Sequence, residues 1–126
     1  MIASVRSAGI PVRDQQRALD FYTRTLGFEL VTDQPMGPEP GAPRWIEVRP
    51  KGSSTILVLF TAPGQEHLIG TFSNILFDCD DINATYDELS AKGVEFPTKP
   101  KVESWGGWWA TFKDSEGNEF GMGQAQ

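Results

Sequence analysis

The chain has 126 residues, the length of one ordinary domain, and 39% of them are hydrophobic, as in a soluble globular protein. Its formal net charge of −6 argues against a nucleic-acid partner and against an anionic membrane surface. The single cysteine, Cys79, excludes an internal disulfide and fits a reducing cytoplasm, which is the location we expect. The N-terminal residues do not have the pattern of a signal peptide, and no apolar segment approaches the ~20 residues of a membrane span.

The first half predicts the order strand, helix, strand, strand, strand. Residues 2–12 favour a strand, and Asp14 is typical of a helix N-cap. The helix is indicated by apolar residues at i, i+4 and i+8, and Gly27 ends it. The sequence then predicts strands at 28–31, 44–50 and 54–63, with a proline-rich loop at 35–43.

The second half repeats this order. Asp80 or Asp81 is expected to cap a helix with apolar residues at 82, 86 and 89, and Gly93 follows its last turn. Four extended segments and one loop are predicted around it: strands at 72–79, 94–96, 108–114 and 119–123, and a loop at 97–107.

Several residue types also recur 66 positions apart. Three pairs carry this repeat: Asp14 with Asp80, Ala18 with Ala84, and Gly27 with Gly93. Two amphipathic helices can resemble each other by chance, but caps, helix lengths and following hairpins all correspond. We therefore predict an α+β fold, a single domain (1–126) of two βαβββ modules at about 1–63 and 71–126, with mixed, cupped sheets and flanking helices.

Three segments carry a family resemblance. The opening IPVRDQQRALDFYTRTLGFEL, the helix segment DDINATYDELSAKGVEF and the hairpin FKDSEGNEFGM resemble the vicinal oxygen chelate superfamily, also called the glyoxalase/bleomycin resistance protein/dioxygenase superfamily. The resemblance covers nearly the whole chain. It implies paired βαβββ modules that form a cupped sheet, commonly a homodimer, with a ligand in the cup. It is a poor guide to activity, because this fold hosts many functions.

The resemblance also implies where a divalent metal would be bound. Many members use four side chains from four strands, and the corresponding positions here are Ser7, Leu57, Asn74 and Gly121. Leucine and glycine offer no side-chain donor, and metal sites are built from His, Cys and carboxylates. We therefore predict no metal and no cofactor. Glu47 and Glu119 are the carboxylates that would support a metal site instead.

Two further side chains have a possible chemical role. His67 is the only imidazole; it would be a general base or ligand contact at the rim of the cup, or simply a solvated loop residue. Cys79 precedes a helix and would be a nucleophile, or a small buried apolar residue. The neighbouring aspartates favour the second interpretation, because negative charge raises a thiol pKa.

Three of the four tryptophans lie within ESWGGWWATFKD. Strand alternation separates Trp108 from Trp109, so one indole faces the helix side and the other a different environment. Any one of them could be core, but four together indicate a surface for a flat ligand. The residues predicted to bind a ligand are Trp45, Glu47, Arg49, His67, Asn74, Trp105, Trp108 and Trp109.

Three functions compete at this point. The sequence favours a metal-free small-molecule-binding protein that sequesters an aromatic or heterocyclic ligand such as an antibiotic. The second is a divalent-metal-dependent lyase, isomerase or dioxygenase-like enzyme, which would need the missing ligands. The third is a structural or regulatory dimer in which the aromatic residues form the subunit interface. The partners we expect are a small-molecule ligand and a second copy of the chain in a homodimer, with no nucleic acid and no membrane.

Overall fold

A computed structural model describes residues 1–124, which form two compact units, Met1–Ile69 and the residues from Gly70 onward. No helix within these residues has the length and apolar character needed to cross a membrane. The first unit contains β1 (Ser7–Ile10), α1 (Gln15–Asp20), β2 (Glu29–Pro35), β3 (Arg44–Arg49) and β4 (Ile56–Leu59). The second contains β5 (Phe72–Asp78), α2 (Ile82–Ala91), β6 (Thr98–Val102), β7 (Trp108–Lys113) and β8 (Glu119–Gln124).

Each unit is one βαβββ module with a four-stranded mixed sheet. The first sheet has the order β1-β4-β3-β2 and the second the order β5-β8-β7-β6. In both, the strand before the helix pairs in parallel with the last strand, and the remaining pairs are antiparallel. The α+β class and the duplication predicted from the sequence are confirmed by this common strand order.

Local sequence signals fix the helix ends. The carboxylate of Asp14 accepts a hydrogen bond from the Arg17 backbone N–H at 3.0 Å, and Asp81 does the same for Ala84 at 3.0 Å. Asp81, and not Asp80, is therefore the cap of α2. After α1 the chain continues as a π-helical turn at Phe21–Thr25, which ends before Gly27 at a φ of 75°. A left-handed residue of this kind ends a helix most easily when it is glycine.

The core of each unit lies between its helix and one face of its sheet. In the first unit the buried side chains are mainly aliphatic, among them Ile10, Ile46, Val48 and Leu59. In the second the core is aromatic, and the rings of Phe112 and Phe120 stack at a centroid distance of 5.4 Å. Burying such faces is the main favourable contribution to folding.

Two strand predictions were wrong in their positions. Residues 94–96 are not a strand; the second strand of the second unit is β6, inside the segment predicted as a loop. Pro100 and two lysines gave that segment loop composition, yet it pairs with β7 as an edge strand, where proline is tolerated. β2 also runs farther than predicted, to Pro35, because pairing with β3 extends it.

A buried polar turn joins β7 to β8. Asp114 is 7% exposed and Asn118 is 1% exposed. Asp114 accepts hydrogen bonds from the Glu116 and Asn118 backbones, and the Asn118 amide donates to the same carboxylate at 3.0 Å. The Asn118 side-chain oxygen accepts from the Gly70 N–H at 2.8 Å. The resemblance segment FKDSEGNEF is therefore a structural element that fixes this hairpin.

Candidate functional site

Each sheet has one face that packs on its helix and one that does not, and the second is called the open face here. In β3, Ile46 and Val48 are fully buried and α1 packs against this strand, so these two residues define the helix side. Side chains alternate along a strand, which places Trp45, Glu47 and Arg49 on the open face of the first sheet. The alternating pattern seen in the sequence thus becomes one continuous row.

The three side chains of this row are already hydrogen-bonded. The Trp45 indole N–H donates to Oε2 of Glu47 at 3.0 Å, and Arg49 donates to Oε1 of Glu29 at 2.5 Å. The Trp45 ring lies 5.8 Å from the ring of Phe60, measured between centroids. Trp45 remains 38% exposed. The open face of the first sheet thus offers an accessible indole, a second ring and a carboxylate.

The open face of the second sheet is built around Trp109. Trp109 pairs with Gly123, and Thr111 pairs with Gly121, so these residues share a face. A Cβ placed on Gly121 would lie 2.4 Å from Cη2 of Trp109 and 3.1 Å from Leu76. The indole therefore packs directly against the glycine, with Leu76 beside it and 57% exposed.

Trp108 belongs to the other face. It pairs with Gln124, whose side-chain oxygen accepts a hydrogen bond from the Ile82 backbone N–H at the start of α2. The next residues on that face, Ala110 and Phe112, are buried. The sequence left open which of the two adjacent indoles faces the helix, and the structure places Trp108 there.

Trp105 lies in the hairpin loop between β6 and β7. Its ring packs on Gly107, where a Cβ would lie 1.9 Å from Cζ3 of the indole. The loop is closed by the Glu103 N–H, which donates to the Gly107 carbonyl at 2.9 Å. Trp105 is nevertheless 67% exposed. The double glycine in the sequence thus permits the close approach of one indole to the backbone.

The two remaining predicted site residues lie elsewhere. His67 is exposed, in the 3-10 turn Glu66–Leu68 of the first unit. Asn74 is exposed in β5 and is left-handed, with a φ of 62°, where the pairing with β8 is irregular between Phe72 and Leu76. Neither residue is within the hydrogen-bonded row of the first open face.

Cys79 is a partly buried thiol at the end of β5. Burial raises its pKa, and the charges of Asp78 and Asp80 act in the same direction, against a hydrogen bond with Thr85 that lowers it. Its sulfur lies 3.8 Å from that of Met122. A raised pKa reduces the thiolate fraction, so the environment of Cys79 is unfavourable for a nucleophile.

The four positions implied for a metal do not fit one. Ser7 and Asn74 are neutral oxygen donors, and Gly121 has no side chain. Leu57 is buried on the helix side; the residue of β4 that pairs with Glu47 on the open face is Val58, which is also aliphatic. The space in which a glutamate at position 121 would lie is filled by Trp109.

Glu47 and Glu119, the carboxylates that would support a metal site instead, do not supply one among the described residues. Within residues 1–124, no three His, Cys, Asp or Glu side chains come together in a group that would hold a metal ion. The donor set of this chain is therefore unlike that of a catalytic zinc or iron site.

Comparison with known proteins agrees with the fold. Residues 4–122 match the family model described as the Glyoxalase/Bleomycin resistance protein/Dioxygenase superfamily. The chain belongs to this superfamily. Membership of this superfamily accounts for the paired βαβββ modules, and it leaves the activity open, since one fold hosts many functions.

Three relatives cover almost the whole chain. The uncharacterized protein YetH of Bacillus subtilis (strain 168) is 38% identical over 120 residues, 95% of this chain and 97% of YetH. A superfamily member from Sphaerobacter thermophilus DSM 20745 has a TM-score of 0.88 at 36% identity, over 98% of each chain. TnmS3, an antibiotic binding protein from Streptomyces sp. CB03234, has a TM-score of 0.84 at 37% identity, over 99% of this chain and 98% of its own.

Two residues beside the predicted site were not found from the sequence. Phe60 contacts Trp45, and Leu76 lies beside Trp109 at Gly121. Phe60 ends an apolar run in which alternation is hidden, since residues 57–59 are all buried. Only the register of strand pairing shows that Phe60 and Leu76 lie beside Trp45 and Trp109, and hydrophobic periodicity along the sequence does not give that register.

Proposed function

We propose that this protein binds a flat aromatic or heterocyclic small molecule, such as an antibiotic, without using a metal. The observation that carries the proposal is the Trp109–Gly121 contact. At the position where the resemblance implies a metal-binding carboxylate, the chain has an indole lying over a glycine. Trp109 is partly exposed, and an accessible indole face is a suitable surface for stacking with a planar ring.

The first open face supports the same function. Trp45 and Phe60 present two neighbouring rings, and Glu47 and Arg49 add hydrogen-bonding groups beside them. Ligand sites commonly combine apolar walls with a few polar groups. TnmS3, a similar protein at 37% identity, is an antibiotic binding protein, which favours binding over catalysis for this chain.

The predicted contact residues contribute unequally to this proposal. Trp45 and Trp109 lie on open faces and are the indoles we assign to stacking. Trp105 is exposed at a hairpin and would cover a bound ring. Trp108 lies on the helix side, so its part would be to support β7. His67 and Asn74 are exposed and remain proposed polar contacts.

The test is a titration of tryptophan fluorescence and calorimetry across a panel of planar antibiotics and heterocyclic metabolites. We expect saturable binding that Trp45→Phe or Trp109→Phe weakens about tenfold, with Trp108→Phe as the matched control on the opposite face. A panel that leaves fluorescence and heat unchanged would contradict the proposal.

The metal-free part of the proposal has its own measurement. Protein purified without a chelator is analysed for divalent metals, and ligand binding is then repeated after dialysis against a chelator. We expect less than about a tenth of an equivalent of metal and unchanged binding. One equivalent of tightly bound metal would favour the enzyme hypothesis instead.

We further propose a cytoplasmic homodimer. Exposed large apolar residues in both units, such as Val31, Met36 and Val102, are typical of surfaces that a partner covers. Sedimentation of the wild type against the Trp105→Ala, Trp108→Ala variant separates two possibilities. Dissociation would show that the aromatic residues form an interface between copies, and an intact dimer with weakened ligand binding supports the ligand site.

A further inference from the structure

We propose that the open face of the first sheet selects a planar ligand that carries a positive charge, held by the Trp45 indole and the Glu47 carboxylate. This inference rests on the proposed function, since it names the class of molecule that the same face would bind. It follows from how the charges of that face are paired.

Of the two charged side chains in the row Trp45, Glu47 and Arg49, Glu47 is the one that has no ion-pair partner among the described residues. One of its oxygens, Oε2, accepts the Trp45 indole N–H at 3.0 Å, which fixes the carboxylate beside the ring. Among the residues that the structure describes, no Lys, Arg or His pairs with Glu47. A carboxylate held at the edge of an exposed ring is therefore available to a ligand cation.

The basic groups nearby are already neutralised. Arg49, two residues along β3, forms an ion pair with Glu29 at 2.5 Å. Arg44, at the start of the strand, alternates with Trp45 and so lies on the other side of the sheet, where it binds both oxygens of Asp33 at 3.0 and 2.7 Å. On the open face an anionic ligand would have to displace Glu29 from Arg49, whereas a cationic ligand meets a carboxylate that has no ion-pair partner among the described residues.

The second sheet shows the same charge pattern. Lys101 pairs with Glu103 at 3.6 Å, and Lys113 pairs with Glu95 at 3.5 Å. Arg49 on the first open face, like these two lysines of the second sheet, therefore has an acidic partner within its own unit. The net charge of −6 would add long-range attraction for a cationic molecule.

An indole and a carboxylate together recognise a cationic ring by two complementary forces. The face of tryptophan attracts a cation more strongly than the other aromatic side chains do. A hydrogen bond from a charged N–H to a carboxylate is stronger than one between neutral groups. Phe60, in contact with Trp45, extends the apolar area under the remainder of a planar ligand.

The experiment compares three probes with the same tricyclic ring: 9-aminoacridine, which is a cation at neutral pH, acridine, which is neutral, and acridine-9-carboxylate, which is an anion. Affinities are measured by calorimetry on the full chain at fixed ionic strength. We expect the cation to bind roughly tenfold more tightly than acridine, and the anion to bind more weakly than either.

The deciding variant is Glu47→Gln, whose amide oxygen can still accept the Trp45 N–H. We expect it to reduce the ratio of the cation's affinity to that of acridine from roughly tenfold to within about threefold. Asp80→Asn is the matched control, because it removes one negative charge from an exposed residue beside α2. It should leave the preference for the cation unchanged.

The outcomes separate this inference from the function on which it rests. Equal binding of the cation and of acridine would overturn the charge selection and leave the binding function standing. An unchanged preference in Glu47→Gln would overturn the role of Glu47. If no acridine binds but another planar compound does, the inference alone fails; if no planar compound binds, both fail.

Discussion

The indole of Trp109 occupies the space in front of Gly121, where a Cβ would lie 2.4 Å from its Cη2 atom. The two residues are diagonal neighbours on adjacent antiparallel strands. This contact places an aromatic surface on the open face of the second sheet and leaves no room for a side chain at position 121.

Gly121→Ala should therefore displace the indole. We expect a loss of about 1–3 kcal/mol in the free energy of unfolding, because an added methyl group overpacks a buried position. The tryptophan emission of the folded protein should shift as well. Gly123→Ala is the matched control, since its nearest contact would be an ordinary 3.7 Å. Equal stability of the two variants in urea unfolding would contradict the contact.

Removal of the α2 cap should destabilise the second unit. Asp81→Ala loses the hydrogen bond to the Ala84 N–H, and a loss of this kind costs about 1 kcal/mol. Asp80→Ala changes the adjacent aspartate, which is not the cap, and should cost far less. Chemical denaturation of both variants measures the difference, and a larger loss for Asp80→Ala would show that the cap is misassigned.

Two substitutions in the buried turn between β7 and β8 should have different effects on the free energy of unfolding. Asn118→Ala removes the acceptor of the Gly70 N–H and the donor to Asp114, so we expect a loss of about 2–3 kcal/mol. The hydroxyl of Ser115 is buried without a hydrogen-bond partner among the described residues. Ser115→Ala should therefore be neutral or stabilising. A substantial loss for Ser115→Ala in thermal unfolding would show that its hydroxyl has a partner.

Alkylation of Cys79 should be slower than that of a free thiol at neutral pH. Burial raises the pKa of the thiol, so less thiolate is present and the reaction accelerates only at higher pH. The rate of iodoacetamide labelling is followed against pH, with free cysteine as the reference. Unfolding in guanidinium should restore the ordinary profile. A folded-state profile identical to that of free cysteine would contradict the prediction.

The ion pair of Asp33 and Arg44 should make the free energy of unfolding depend on pH in the acidic range. The hydrogen bond from Arg44 lowers the pKa of Asp33, so the pair contributes above the unfolded pKa of about 3.9 and is lost as pH falls through the lower folded value. Asp33→Asn should cost about 0.5–1 kcal/mol at neutral pH. That difference should shrink in urea titrations as the pH falls through the lowered folded-state pKa of Asp33. A difference that persists in acid would assign the effect to packing.

Several strand features were not predictable because pairing, and not local composition, creates them. β6 contains Pro100 and reads as a loop, but it becomes a strand at the edge of β7. Leu57 and Val58 are both aliphatic, and only the register with β3 places Leu57 in the core and Val58 on the open face. A shift of one residue exchanges the two faces, so composition alone leaves this choice open.

The sequence by itself determined the duplicated βαβββ order, the helix ends at Asp14 and Gly27, and the loss of metal-binding side chains, since these depend on residue type and spacing along the chain. Tertiary structure alone decided which of two adjacent indoles lies on the open face of the second sheet. Trp108 and Trp109 are identical neighbours, and only the packing of α2 on one side of the second sheet turns Trp108 toward the helix and Trp109 across Gly121. The physical reason is that alternation along a strand places side chains on two opposite faces of the sheet. The packing of the helix and the burial of apolar area then determine which face belongs to the core.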